Sequence, residues 1–127
     1  MDMILFDTNI LIDHLKGKQE ATDILKSCIK DNKTLACSVI TKIELLCGMR
    51  PEEEEQLEYF LSGFEKIDVT DRIAENAGRY LSKYRKSYGI NMANAIIAAT
   101  AKLADSKVYT LNTKHYPMTD IEVIRPY

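Results

Sequence analysis

The chain has 127 residues, of which 46% are hydrophobic and 28% charged, with 17 basic against 19 acidic side chains and a formal net charge of -2. That length suits a single domain over residues 1–127 whose core needs no disulfide. The balance of charge argues against general coating of nucleic acid while leaving room for a local basic face.

In chain order, the N-terminus carries Asp2 and Asp7 and lacks the basic n-region and small-residue cleavage site of a secretory signal, so the expected compartment is the cytoplasm. No apolar run approaches the roughly 20 residues that span a bilayer. Met3 to Phe6 is a short apolar run that fits a buried strand, and it stops on Asp7-Thr8-Asn9. In an open α/β sheet this is the end at which ligands bind. The same three residues also suit the cap of a helix from Asn9 to Lys16, closed by Gly17, and both readings stand at this point. A second helix is expected from Glu20 to Ile29 with Ala21, Ile24, Leu25 and Cys28 inward, then a turn at Asp31-Asn32-Lys33 and a second buried strand from Thr34 to Val39. Strand, helices, strand in that order call for a parallel pair with a right-handed crossover.

Ser38 to Gly48 reads as a strand end running into a short helix. Within it Thr41-Lys42-Ile43-Glu44 matches the capping box, in which Glu44 reaches back to the cap amide. Glu44 has apolar sequence neighbours on both sides, Ile40, Ile43, Leu45, Leu46 and Cys47, where a carboxylate is costly unless something binds it. Pro51 followed by Glu52 to Glu55 is a solvated helix start, with proline at the first helical position and acids at the positive end of the dipole, and Leu57, Phe60, Leu61 and Phe64 face inward. A short strand is expected at Lys66 to Val69, then a long helix capped by Asp71 and running to Ser87, with Ile73, Ala77, Tyr80, Leu81 and Tyr84 as its inner stripe. Arg79, Lys83 and Lys86 share another face of it, and a basic stripe beside tyrosines suits either a solvated surface or a phosphate backbone with stacked bases.

Gly89-Ile90-Asn91 breaks the chain, and Met92 to Ala104 follows as a helix apolar almost all round, with Asn94 as the polar exception near its start. Lys107 to Leu111 is a further strand, ending on Asn112-Thr113, and Glu122 to Ile124 an edge strand. The order β-α-α-β-α-α-β-α-α-β-β means an α/β fold, a three-layer α/β/α sandwich around a central parallel sheet. Cys28, Cys37 and Cys47 are odd in number and lack CxxC spacing, which suits reduced structural thiols.

Asp7, Glu44, Asn94 and Asn112 lie at strand ends or helix starts that a parallel sheet can bring to one crevice. They are oxygen donors, and with only His14 and His115 besides, they suit a hard cation such as Mg²⁺ or Mn²⁺ rather than a soft one. Carboxylate-held divalent ions support phosphoryl transfer by acidifying water and stabilising charge on a phosphodiester.

Four stretches carry a resemblance: Ile4 to Asp13, Ser38 to Gly48, Ala93 to Ala101 and Thr110 to Tyr116. In order and spacing they resemble the four motifs of a PIN domain, most closely the VapC type of toxin from bacterial and archaeal toxin-antitoxin pairs, over nearly the whole chain. The resemblance implies a PIN-like sandwich, usually a homodimer, that cleaves RNA with Mg²⁺ or Mn²⁺. It also implies a cognate antitoxin whose C-terminal segment occupies the active-site groove. By position it makes Asp7 and Glu44 the first two metal-binding acids, places the third at position 94, and assigns Asn112 to the fourth motif. Thr8, Asn9 and Thr110 would support the site, and Lys42, Lys114, Arg79, Lys83 and Lys86 would bind the RNA backbone. Glu44 thereby moves from cap to ligand.

The chain departs from the family pattern at one of these positions, where Asn94 stands in place of aspartate. An amide brings no charge and accepts no proton, so cation binding weakens and the rate falls by orders of magnitude if that group helps activate water. Two explanations compete: a natural feeble or silent protein that binds RNA or antitoxin without cutting, or a deliberate near-isosteric replacement that spares an expression host. The second is favoured because the other motifs are intact. Two other phosphoryl-transfer classes fit less well. A haloacid-dehalogenase-type phosphotransferase needs a second aspartate where Asn9 stands, and a response-regulator receiver needs paired acids near the first strand that are absent.

Overall fold

Five short strands, β1 (Met3–Phe6), β2 (Thr34–Ser38), β3 (Glu65–Ile67), β4 (Lys107–Tyr109) and β5 (Val123–Ile124), form the sheet of the computed structural model, which describes residues 2–127. All pair in parallel, in the order β3-β2-β1-β4-β5. The helices are α1 (Thr8–Leu15), α2 (Gln19–Lys30), α3 (Val39–Cys47), α4 (Glu54–Leu61), α5 (Asp71–Tyr88) and α6 (Met92–Ala104). The chain moves outward from β1 to β2 and β3, then returns across the sheet to lay β4 on the other side of β1. Right-handed crossovers in opposite directions put their helices on opposite faces.

Alternation along the strands supplies both cores. Ile4 and Phe6 face α1 to α4 together with Leu35 and Cys37, whereas Leu5, Ala36 and Val108 face α5 and α6. Each large side chain fully buried there contributes roughly 1.5–3 kcal/mol of transfer free energy. Helix α6 is buried from Asn94 through Ala101, and its alanines admit close approach of the sheet and of α5. No helix among the described residues is long and apolar enough to cross a membrane.

Several local expectations shift. The capping box at Thr41–Glu44 does not form: α3 begins at Val39, and its cap is Ser38, whose Oγ accepts the Ile40 amide at 3.1 Å. Thr41 and Glu44 therefore sit inside the helix, whose buried stripe is Thr41 and Leu45. Glu44 is not enclosed by its apolar sequence neighbours, because Ile43 and Leu46 point outward on the same exposed side. The cap of α5 is Thr70, whose hydroxyl accepts the Ile73 amide at 3.2 Å, so Asp71 is the first helical residue instead. Strand β3 begins one residue before and ends two before the expected Lys66 to Val69, and β4 ends at Tyr109, because pairing to β2 and β1 sets their length. Gly89 ends α5 in the left-handed conformation at φ 64°, which costs a glycine little. Cys28 and Cys37 are buried free thiols, and burial pushes the Cys37 thiol up to about 11, but Cys47 is exposed.

Candidate active site

The reversal of strand order around β1 opens a crevice at the carboxyl ends of β1 and β4, and the first residue beyond β1 is Asp7. Its backbone occupies the cap position of α1, yet its carboxylate makes no capping bond. The Asp7 amide continues the ladder to the Tyr109 carbonyl at 2.9 Å, which sets Asp7 beside Thr110. Thr110 then donates to Asp7 Oδ2 at 2.7 Å, and the Tyr116 hydroxyl donates to the same oxygen at 3.1 Å. The direction of the Thr110 proton is fixed by the Asn112 amide, which donates to Thr110 Oγ1 at 3.0 Å and occupies its acceptor side. Both hydroxyls fall on Oδ2, so Oδ1 accepts no side-chain hydrogen bond. Asp7 is 8% exposed, and burial raises its carboxyl above the usual range against the opposing pull of Thr110 and Tyr116.

Glu44 is reached through Thr8. The Thr8 hydroxyl donates to Glu44 Oε1 at 2.6 Å and lies 3.0 Å from Thr41 Oγ1. A hydroxyl has one proton, so the carboxylate takes it and buried Thr41 donates to Thr8 in turn. The chain Thr41–Thr8–Glu44 orients the acid much as Asn112–Thr110–Asp7 orients its partner. Glu44 Oε2 is left free.

Position 94 behaves differently. Asn94 and Asn91 form a reciprocal capping box at the start of α6, with the Asn91 amide donating to Asn94 Oδ1 at 3.0 Å and the Asn94 amide to Asn91 Oδ1 at 2.9 Å. A backbone N–H can only donate, so Asn94 Oδ1 is the atom that faces Asn91, and the Asn94 side-chain amide opposes the upward shift of the Tyr116 phenol. Position 94 thus brings a neutral amide where an acid would bring a charge.

Tyr116 is the residue that sequence reasoning left without a role. It is 4% exposed, and Asp7, Asn94 and Glu44 all act on its hydroxyl. Burial, with the Asp7 charge second, holds its proton well above the usual phenol range, so it serves as a donor. A usable signal was present, since a buried tyrosine hydroxyl requires a partner. Asn112 spends its side-chain amide on His115, with Nδ2 at 2.7 Å from Nδ1. Asn9 keeps a buried Oδ1 without a partner on the first turn of α1.

The basic residues are dispersed. Lys42 pairs with Glu58 at 3.5 Å, Arg79 with Glu75 at 2.6 Å, and Lys83 sits over the Tyr84 ring at 5.2 Å. Lys86 and Lys114 make no ion pair among the described residues. Tyr80, Tyr84 and Tyr88 pack against one another along α5 rather than standing free, and Tyr80 donates to Asp120.

The donor set, the carboxylates of Asp7 and Glu44, suits a hard divalent cation in kind. It is short by one charge, and the described residues contain no cluster of three or more acidic, histidine or cysteine side chains placed to hold a metal. Comparison with known proteins matches residues 4–120 to the PIN domain. Ribonuclease VapC19 of Mycobacterium tuberculosis is 39% identical over 117 residues, covering 91% of this chain and 94% of that protein. Ribonuclease VapC10 of the same organism is 40% identical over 125 residues, covering 98% and 92%. A toxin-antitoxin complex from Klebsiella pneumoniae contains a chain that superposes with a TM-score of 0.80 at 34% identity, covering 98% of each chain.

Proposed function

This chain belongs to the PIN-domain family, and from that membership we propose that it is a divalent-metal-dependent endoribonuclease toxin neutralised by a cognate antitoxin. Residues 1–127 act as one domain, and Asn94 attenuates the activity. The observation that carries the reading is the meeting at the β1–β4 crevice of two acids, each aimed by its own hydroxyl, with Tyr116 donating to the first of them. Asp7 and Glu44 would hold Mg²⁺ or Mn²⁺. A divalent ion there would acidify water and offset charge on the scissile phosphodiester.

The chain's own residues prepare the site. Thr110 and Tyr116 fix the Asp7 carboxylate through Oδ2, and Thr8 holds Glu44 through Oε1. The raised Asp7 carboxyl reflects an acid kept in a poorly solvated place, where an external positive charge interacts more strongly than in water. Asn94 removes the third negative charge and the only remaining candidate for a proton acceptor at that position. This favours a second reading, a protein that binds RNA or antitoxin without cutting. Lys114, on the loop that carries Tyr116 and without an ion pair among the described residues, is the basic residue best placed to meet the RNA backbone, with Lys86 as a second such cation. Exposed Ile43 and Tyr59 supply apolar surface for protein partners, an antitoxin and a second copy in a homodimer.

The test is the reversion Asn94→Asp. Its carboxylate can keep the Asn91 amide on one oxygen and turn the other to the crevice. Metal-dependent cleavage of total cellular RNA should rise by about 10²-fold or more over the parent chain, the scale on which a positioned acid-base group contributes. Activity no higher than that of an Asp7→Ala control refutes the nuclease assignment.

A further inference from the structure

Beside Glu44, α1 and the C-terminal end of α3 enclose a cavity of about 430 Å³. Ile12, Leu15 and Met49 form apolar walls, and Lys16, Glu44 and Glu53 bring the polar groups. Glu44 belongs to both this cavity and the active site, so a chain seated at the acids has its next residue directed here. Lys16 makes no ion pair among the described residues and is free for a phosphate. Glu53 spends Oε1 on the Arg50 amide at 2.9 Å and the Arg50 guanidinium at 3.3 Å, which leaves Oε2 as an acceptor.

Aliphatic walls, a carboxylate acceptor and a cation match the faces, the N–H edge and the phosphate of a nucleotide. We propose that this cavity is a nucleobase subsite for the nucleotide flanking the scissile phosphate, and that it selects a base with an exocyclic amine over uracil. The inference rests on the ribonuclease reading and adds a specificity to it. An ionised carboxylate accepts from the amino group of cytosine, whereas uracil presents an oxygen at the same place and is repelled.

The experiment titrates the chain, in Mg²⁺ buffer, with single-stranded octamers of cytidylate and of uridylate. Fluorescence anisotropy reads affinity, and the ¹³C-labelled Met49 methyl reads occupancy. The cytidylate octamer should bind about tenfold more tightly, within the range of one good base contact, and shift the Met49 methyl upfield through the ring current. Gly48 lines the cavity and a Cβ there meets only the Leu45 carbonyl oxygen at 3.9 Å, so Gly48→Leu adds bulk at the wall without a backbone clash, and it should abolish both effects. Glu53→Gln keeps the oxygen that the Arg50 amide uses and replaces the other with an N–H, so it should erase or invert the preference without disturbing the fold. Equal binding of the two octamers, or a stationary Met49 methyl, overturns the subsite. If the Asn94→Asp chain cleaves both octamers equally, the subsite falls and the ribonuclease reading stands. If it neither binds nor cleaves either, both fall.

Discussion

Removing the Tyr116 hydroxyl tests whether the site is held together as described. In Tyr116→Phe the ring still fills its buried place, so the loss is confined to the hydrogen bond of 3.1 Å to Asp7 Oδ2. A hydrogen bond to a charged acceptor is worth about 1.5–3 kcal/mol, and Asp7 remains 8% exposed with only Thr110 to satisfy that oxygen. The carboxylate is then held by one hydroxyl instead of two. Loss of a hydrogen bond that orients a metal-binding carboxylate costs about 10–100-fold in metal affinity. The measurement is a calorimetric Mn²⁺ titration in the Asn94→Asp background, with Thr110→Val alongside and thermal melts of each. Because both hydroxyls act on one oxygen, the double variant should depart from the sum of the singles by about 0.5 kcal/mol or more. Mn²⁺ affinity of Tyr116→Phe within about twofold of its parent would refute the positioning argument.

The metal-free chain carries a stability penalty at Asp7. Its carboxyl is raised by burial, so the folded state disfavours the charged form and the penalty is fully present at neutral pH. Asp7→Asn keeps an acceptor for both hydroxyls and should raise stability by about 0.5–2 kcal/mol at pH 7. That gain shrinks as pH falls through the folded value and vanishes below the ordinary 3.8, and a lower melting temperature at pH 7 contradicts it. Thr70→Ala should cost about 1 kcal/mol in denaturant melts through loss of the α5 cap, while Asp71→Ala costs only a few tenths, and equal costs would restore Asp71 as the cap. Lys114→Glu should weaken RNA binding across sequences and lower the slope of affinity against salt, by about one for the lost contact and further for the added charge. Arg79→Glu, already bound to Glu75, should change binding much less, and the reverse ranking moves the RNA path to α5.

Much of the fold was legible because periodicity is a local property. The run Met3–Phe6, the helix Met92–Ala104 and the inner stripe Ile73, Ala77 and Tyr80 all lie where residue spacing put them. Helix starts were less legible, since Thr41–Glu44 and Ser38 both offer capping chemistry and the choice was made by burial of Thr41 against α1. The candidate site was legible as residue types in order, with Asp7, Thr8, Glu44 and Thr110 meeting in the hydrogen-bonded pairs described. Its basic residues were not, because ion pairing with Glu58 and Glu75 depends on side chains that spacing does not identify as partners.

By itself the sequence determined the alternation of strands and helices, the carboxylates at their junctions and the neutral amide at position 94. Only the tertiary structure decided which oxygen each hydroxyl serves. Tyr116 stands 109 positions from Asp7, and they meet because β4 returns to pair with β1. The physical reason is range. Hydrophobic periodicity acts within a few residues, whereas a hydrogen bond near 3 Å between distant segments exists only after the whole sheet has set its register.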